Sequence, residues 1–146
     1  MSEAMSSETT IPRAAARPPR KSPGASLSRD HLQLEGLFCA LLDAFREGDW
    51  GGVRAMWRSF EDALEAHFST EERHLLPRYA AVAPAATRQL LHEHDSFRQA
   101  LWALGVGVDL HMVNLVLAQS FIGALREHAL FEDRSVYPWA DLKSVA

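Results

Sequence analysis

From residue 27 onward, apolar residues recur at alternating steps of three and four, and in four separate segments one slot of that stripe is a histidine. The first stripe is Leu27, His31, Leu34, Phe38, Leu41 and Phe45, and the second is Val53, Trp57, Phe60, Leu64, His67, Glu71 and His74. The third is Thr87, Leu90, His94, Phe97, Leu101 and Leu104, and the fourth is Leu117, Phe121, Ala124, His128 and Glu132. Such steps follow the 3.6-residue period of a helix that turns one face to a core. The joints are short: Gly48 to Gly52, then Ala83-Pro84, then Gly105 and Gly107 with Asp109 as the candidate cap of the last helix. The fold that buries four such faces is an all-α, up-down-up-down four-helix bundle. Helix one is expected over 28–47, and helix two to about residue 79.

The histidines stand in slots that the pattern reserves for apolar side chains, and two of them belong to a repeat. Residues 67–77 read HFSTEERHLLP and residues 128–138 read HALFEDRSVYP: His, three residues, Glu, an acid, Arg, three residues, Pro. In a helix, residues four apart are neighbours on one face, so His67/Glu71 and His128/Glu132 each set an imidazole beside a carboxylate. His67, His94 and His128 fall at similar depths from one end of the bundle. His31 joins them only if helix one is offset or begins earlier than Ser28.

Buried carboxylates and imidazoles are costly unless paired, neutralised or bound to a cation. The metal candidates are therefore His31, His67, Glu71, His94, His128 and Glu132. Six donors exceed the four of one tetrahedral zinc and fall short of two saturated octahedral ions, which fits a dinuclear site with an exchangeable position. His74, three residues past Glu71, is a further candidate or stands at the mouth of the bundle. Glu72 and Asp133 are expected to pair with Arg73, Arg134 or an imidazole N–H, and His92 and His111 to lie on the surface. Leu64, Phe97, Leu101 and Phe121 are expected to wall a pocket, and Cys39 to be a small buried filler.

Composition sets the outer bounds. The chain has 146 residues, 47% of them apolar, which suffices for one globular domain. A lone cysteine excludes a disulfide framework and points to a reducing cytoplasm. The net charge of −4 is uneven. Arg13, Arg17, Arg20, Lys21 and Arg29 outnumber Glu3 and Glu8 at the N-terminus, leaving an acidic body that speaks against a nucleic-acid partner. No apolar run is long enough to span a membrane. Residues 1–26, rich in Ala, Pro and Ser, read as a disordered basic tail, and 27–146 as the bundle.

Asp30-His31, HFSTEERHLLP, EHDSF (Glu93 to Phe97) and HALFEDRSVYP together resemble the hemerythrin-like, HHE cation-binding family across residues 27–140. The resemblance implies a four-helix bundle holding two iron ions, bridged by two carboxylates and an oxo or hydroxo group. His31, His67, His94 and His128 would be terminal ligands, and Glu71 and Glu132 bridges. The chain departs from the oxygen carriers of that family, which have His-x3-His on helix three where this chain has Leu90-x3-His94. They also use His-x4-Asp on helix four, a place that Asp133 occupies here. One histidine fewer implies an exchangeable position, or a weaker zinc or mixed-metal site. The function expected is binding of O2, NO or a related small ligand as carrier, sensor or store. Enzymatic peroxide or nitric oxide chemistry, and a non-catalytic zinc or iron structural or interaction bundle, are the alternatives. No general acid beyond the ligands favours turnover.

Overall fold

The computed structural model describes residues 22–144, and the described residues are helical without a strand. The order is α1 (Pro23–Glu47), α2 (Trp50–His74), a short α3 (Leu76–Tyr79), α4 (Pro84–Asp109), α5 (Leu115–Phe131), a π-helical turn (Glu132–Val136) and α6 (Tyr137–Ser144).

Local chemistry sets the ends of α1. The Ser22 hydroxyl accepts from the Ala25 amide, Pro23 fills the first turn, and Gly48 closes the helix in the left-handed conformation at φ 70°. The helix thus starts ahead of Ser28, whose hydroxyl donates to Asp133 instead. It takes in 23–26, read from sequence as tail, and so carries His31 about two turns into the helix. The rest of the expected tail, residues 1–21, lies outside the described residues.

Gly51 and Gly52 sit inside α2, so the first break is only Gly48-Asp49. The second helix stops at His74, short of the expected 79, and resumes as α3. Pro77 has no N–H to donate, and its ring clashes with the carbonyl four residues back. Gly105 and Gly107 do not end α4; they provide room. A Cβ on Gly105 would meet Trp57 Nε1 at 3.2 Å, and one on Gly107 would meet the Met112 carbonyl oxygen at 2.9 Å. The cap of α5 is Asn114, which accepts from the Leu117 amide, whereas Asp109 pairs with Arg54 at 2.9 Å. His111 is exposed in that connection at φ 55°, its ring flat against Trp50.

The long helices pack in a closed ring: α1 on α2, α2 on α4, α4 on α5, and α5 on α1. Neighbours run antiparallel, as Arg54–Asp109 and Arg98–Glu65 show for α2 and α4, and Phe38–Phe121 and Ser28–Asp133 for α1 and α5. The expected stripes of α1 and α4 are buried throughout, His31 being half-buried. In α2 the stripe is buried through Glu71, and His74 is exposed. In α5, Leu117 and Ala124 are exposed, and the inner face is Ala118, Phe121, Ile122, Leu125 and His128. Apolar residues surround that helix, so two stripes one position apart fit its sequence equally well.

Two apolar clusters result. The larger holds Phe38, Phe60, Leu64, Phe68, Leu104 and Phe121 among others, and the smaller holds Leu27, Leu76, Leu90, Val136 and Tyr137. The histidine and glutamate layer lies between them. Phe60 is wholly buried against Phe38, Trp57 and Phe121. Phe60→Ala is expected to cost about 3–5 kcal/mol, read as a lower urea midpoint with an unchanged slope. An unshifted midpoint would show that this aromatic cluster does not hold the bundle.

Candidate metal centre

Each long helix delivers an imidazole to this layer, and two deliver a carboxylate one turn further on. His67, Glu71, His94, His128 and Glu132 are buried, and His31 is half-buried. Their donor atoms form two groups that could each hold a cation: His31, His67, Glu71 and Glu132, and Glu71, His94, His128 and Glu132. Within each group the donor atoms lie within 4.8 Å of one another, and both glutamates belong to both groups. His74 belongs to neither, and Asp133 is exposed and lies outside both, whereas Glu132 is inside both.

The atoms are near one another without being satisfied by one another. Glu71 Oε1 lies 2.7 Å from His67 Nε2, and Glu132 Oε1 lies 3.1 Å from His128 Nε2. Yet neither oxygen of either carboxylate, nor Nε2 of His94 or His128, has an aligned hydrogen bond. Buried polar groups normally have such partners, and donors that share a cation are the arrangement that explains their absence. Burial pushes the Glu71 carboxyl well up, and adjacent Glu132 adds to that. In Glu132 burial acts the same way but is outweighed by the polar groups of Glu71, His128 and His31 set against it, which hold it well down. Burial also lowers His67 and His94 and so favours the neutral, ligating imidazole, while in His31 it is outweighed by Glu132 and Asp133.

The other nitrogen of each ring faces a carboxylate from the next helix. His67 Nδ1 is 3.1 Å from Asp30, His94 Nδ1 is 2.9 Å from Glu72, and His31 Nδ1 is 3.3 Å from Asp133. His128 Nδ1 is 3.7 Å from Glu93. A carboxylate at Nδ1 sets the tautomer that leaves Nε2 free to bind a metal, and it strengthens the ligand. Glu72 is itself held by Arg98 at 2.8 Å, and Arg98 also grips Glu65. Glu72 and Asp133 thus pair with imidazoles, as expected from sequence, rather than with Arg73 or Arg134. The parts taken by Asp30 and Glu93 were missed. The available signal was an acid directly beside a donor on every helix.

Tyr137 was also missed. Its buried hydroxyl lies 3.0 Å from His31 Nε2 and 3.4 Å from His67 Nε2. Burial, then Glu132 and Glu71, push its phenol far above the ordinary range. The π turn puts it there: the Tyr137 amide donates to the Glu132 carbonyl, five residues back. In an unbroken α-helix, residue 137 would point about 140° away from Glu132.

A cavity of about 320 Å³ between α1 and α5 reaches His31, His67 and His128, with Leu34, Leu64 and Leu125 on its walls. Of the expected wall residues only Leu64 lines it. Phe97 and Phe121 stay in the larger apolar cluster, and Leu101 borders a separate groove between α2 and α4. Cys39 is half-buried near Glu35 and Arg126, not enclosed in the core.

An antiparallel four-helix bundle that gathers imidazoles and carboxylates into one core layer defines a cation-binding protein of the carboxylate–histidine kind. The family model of the hemerythrin HHE cation-binding domain matches residues 16–140, and the chain belongs to that family. No curated protein and no solved structure matches the chain significantly. Among the described residues no helix is long and apolar enough to cross a membrane.

Removing one orienting carboxylate tests the arrangement. Glu72→Gln is expected to weaken metal binding roughly 10–100-fold in a cobalt(II) titration, with the helical content of the metal-free protein unchanged. Unchanged affinity would show that Glu72 does not orient His94.

Proposed function

We propose that this chain holds two iron ions at a carboxylate-bridged dinuclear centre and binds O2, NO or a related small ligand there, as a carrier, sensor or store. The observation that supports the reading most directly is that Glu71 and Glu132 each belong to both donor groups. A carboxylate has two oxygens and can serve two ions at once, whereas an imidazole nitrogen serves one. Sharing both glutamates and dividing the histidines, His31 and His67 from His94 and His128, is the donor distribution of two adjacent ions. It is not that of one tetrahedral zinc, which four donors complete. Imidazole and carboxylate without thiolate suit iron in a site that must change oxidation state.

Bound iron would supply a redox-active Lewis acid with a position for an exogenous ligand. The residues of the chain do the rest. The two glutamates would hold the ions together, and Asp30, Glu72 and Asp133 fix the rings of His67, His94 and His31. The cavity between α1 and α5 offers a small, mostly apolar approach, with Glu35 and Arg126 ion-paired at its exposed side. A reducing cytoplasm would keep the Cys39 thiol free.

Metal analysis with spectroscopy on protein purified from iron-supplemented cells tests this reading. About two irons per chain, with near-ultraviolet charge-transfer bands that bleach on anaerobic reduction and return or shift with O2 or NO, is the expected result. A chelator should also lower the melting temperature, because ions that bind only the folded chain stabilise it. One zinc per chain, or melting indifferent to chelator, would overturn the reading.

A further inference from the structure

Resting on the dinuclear reading above, we infer that Tyr137 is a seventh protein donor, supplying its oxygen to the ion held by His31 and His67. The argument starts from spacing. Two donors bound at right angles to one ion at about 2.1 Å stand about 3.0 Å apart. His31 Nε2 and His67 Nε2 are 3.0 Å apart, and the Tyr137 oxygen is 3.0 and 3.4 Å from them. Glu132 Oε1 is 3.3 Å from His31 Nε2, and Glu71 Oε1 is 2.7 Å from His67 Nε2. Five atoms from five residues thus keep the separations of neighbouring ligands around one centre.

In the tautomers that bind a metal, hydrogen bonding alone does not account for this packing. With the Nδ1 protons of His31 and His67 directed at Asp133 and Asp30, both Nε2 atoms present lone pairs, 3.0 Å from each other. The single phenol proton can satisfy one of them. A cation placed there would satisfy both nitrogens and the phenol oxygen together. The backbone commits to this position as well, through the π turn that directs Tyr137 inward.

The consequence is asymmetry. The His31/His67 position receives five protein donors, and the His94/His128 position four. The second position faces Phe68 and Phe97, whose rings lie 4.0 Å from His94 and 5.2 Å from His128.

The test uses the full chain loaded with iron(II), oxidised in air and assayed for iron per chain. Resonance Raman spectra are then compared between ordinary protein and protein carrying ring-deuterated tyrosine. The chain has two tyrosines, and the other, Tyr79, packs on Trp139 in the smaller apolar cluster. The expected result is a visible tyrosinate-to-iron(III) band whose enhanced ring modes shift on deuteration. The band should be lost in Tyr137→Phe and kept in Tyr79→Phe. If Tyr137→Phe fails to fold, the isotope shift in the native chain still decides. Two irons per chain without tyrosine-enhanced modes would overturn this inference alone and leave Tyr137 a hydrogen-bond donor. Fewer than two irons in the native chain would overturn the dinuclear reading and this inference with it.

Discussion

Two carboxylates lie in the middle of this bundle without an aligned hydrogen bond to either, and the rest of the architecture answers to them. A buried ionised carboxylate is so costly that it protonates or finds a counter-charge, and burial beside Glu132 pushes the Glu71 carboxyl well up. Around them stand four imidazoles, of which burial lowers His67 and His94 toward the neutral form. A bound cation would convert that liability into a bond network and so couple metal affinity to folding stability. The apolar clusters above and below the layer serve this end by keeping competing water away from it.

The order of helix neighbours is the order in which the imidazoles are held. Asp30 of α1 reaches His67 of α2, Glu72 of α2 reaches His94 of α4, Glu93 of α4 faces His128 of α5, and Asp133 closes the ring on His31 of α1. Every orienting acid is the chain neighbour of a donor yet serves the donor on the next helix. Consecutive residues on a helix point about 100° apart, so when one looks into the core its neighbour looks along the interface with the adjoining helix. The three orienting hydrogen bonds and the approach of Glu93 to His128 therefore need four antiparallel helices at matched depth, and a slip of one turn in any helix would disturb two of them. Helix packing and site geometry are in this sense the same constraint.

The parts of this site that follow from one helix's own period were legible in the sequence, and the parts that cross between helices were not. Four histidines in apolar slots, and the glutamates one turn beyond two of them, follow from 3.6-residue spacing, and the structure gathers all six into one layer. The depth of His31 was left open by a start at Ser28 and is settled by the cap at Ser22 and Pro23. Asp30 and Glu93 sit beside donors on the wrong face for their own helix, and only the neighbouring helix gives them a use. Tyr137 was hidden for another reason. It lies five residues past Glu132, off any helical stripe, until the π turn inserts the missing residue.

The two copies of the repeat show how much that insertion decides. In the first, the Leu75 amide keeps its ordinary bond to the Glu71 carbonyl, α2 ends, and the residue before the proline is Leu76, buried among apolar neighbours. In the second, the helix widens by one residue to pass Pro138, and the residue before the proline is Tyr137, turned onto the imidazoles. The proline forces a break in both, because it offers no amide and crowds the preceding turn. What differs is the surface that receives the chain afterwards. Past Pro138, α6 returns along the first turn of α1, where the Gly24 amide donates to Asp141. A side chain at Gly24 would come within 2.9 Å of the Tyr137 Cβ. The early start of α1 thus performs two tasks: it sets His31 within the layer, and its glycine leaves the space in which Tyr137 reaches that histidine.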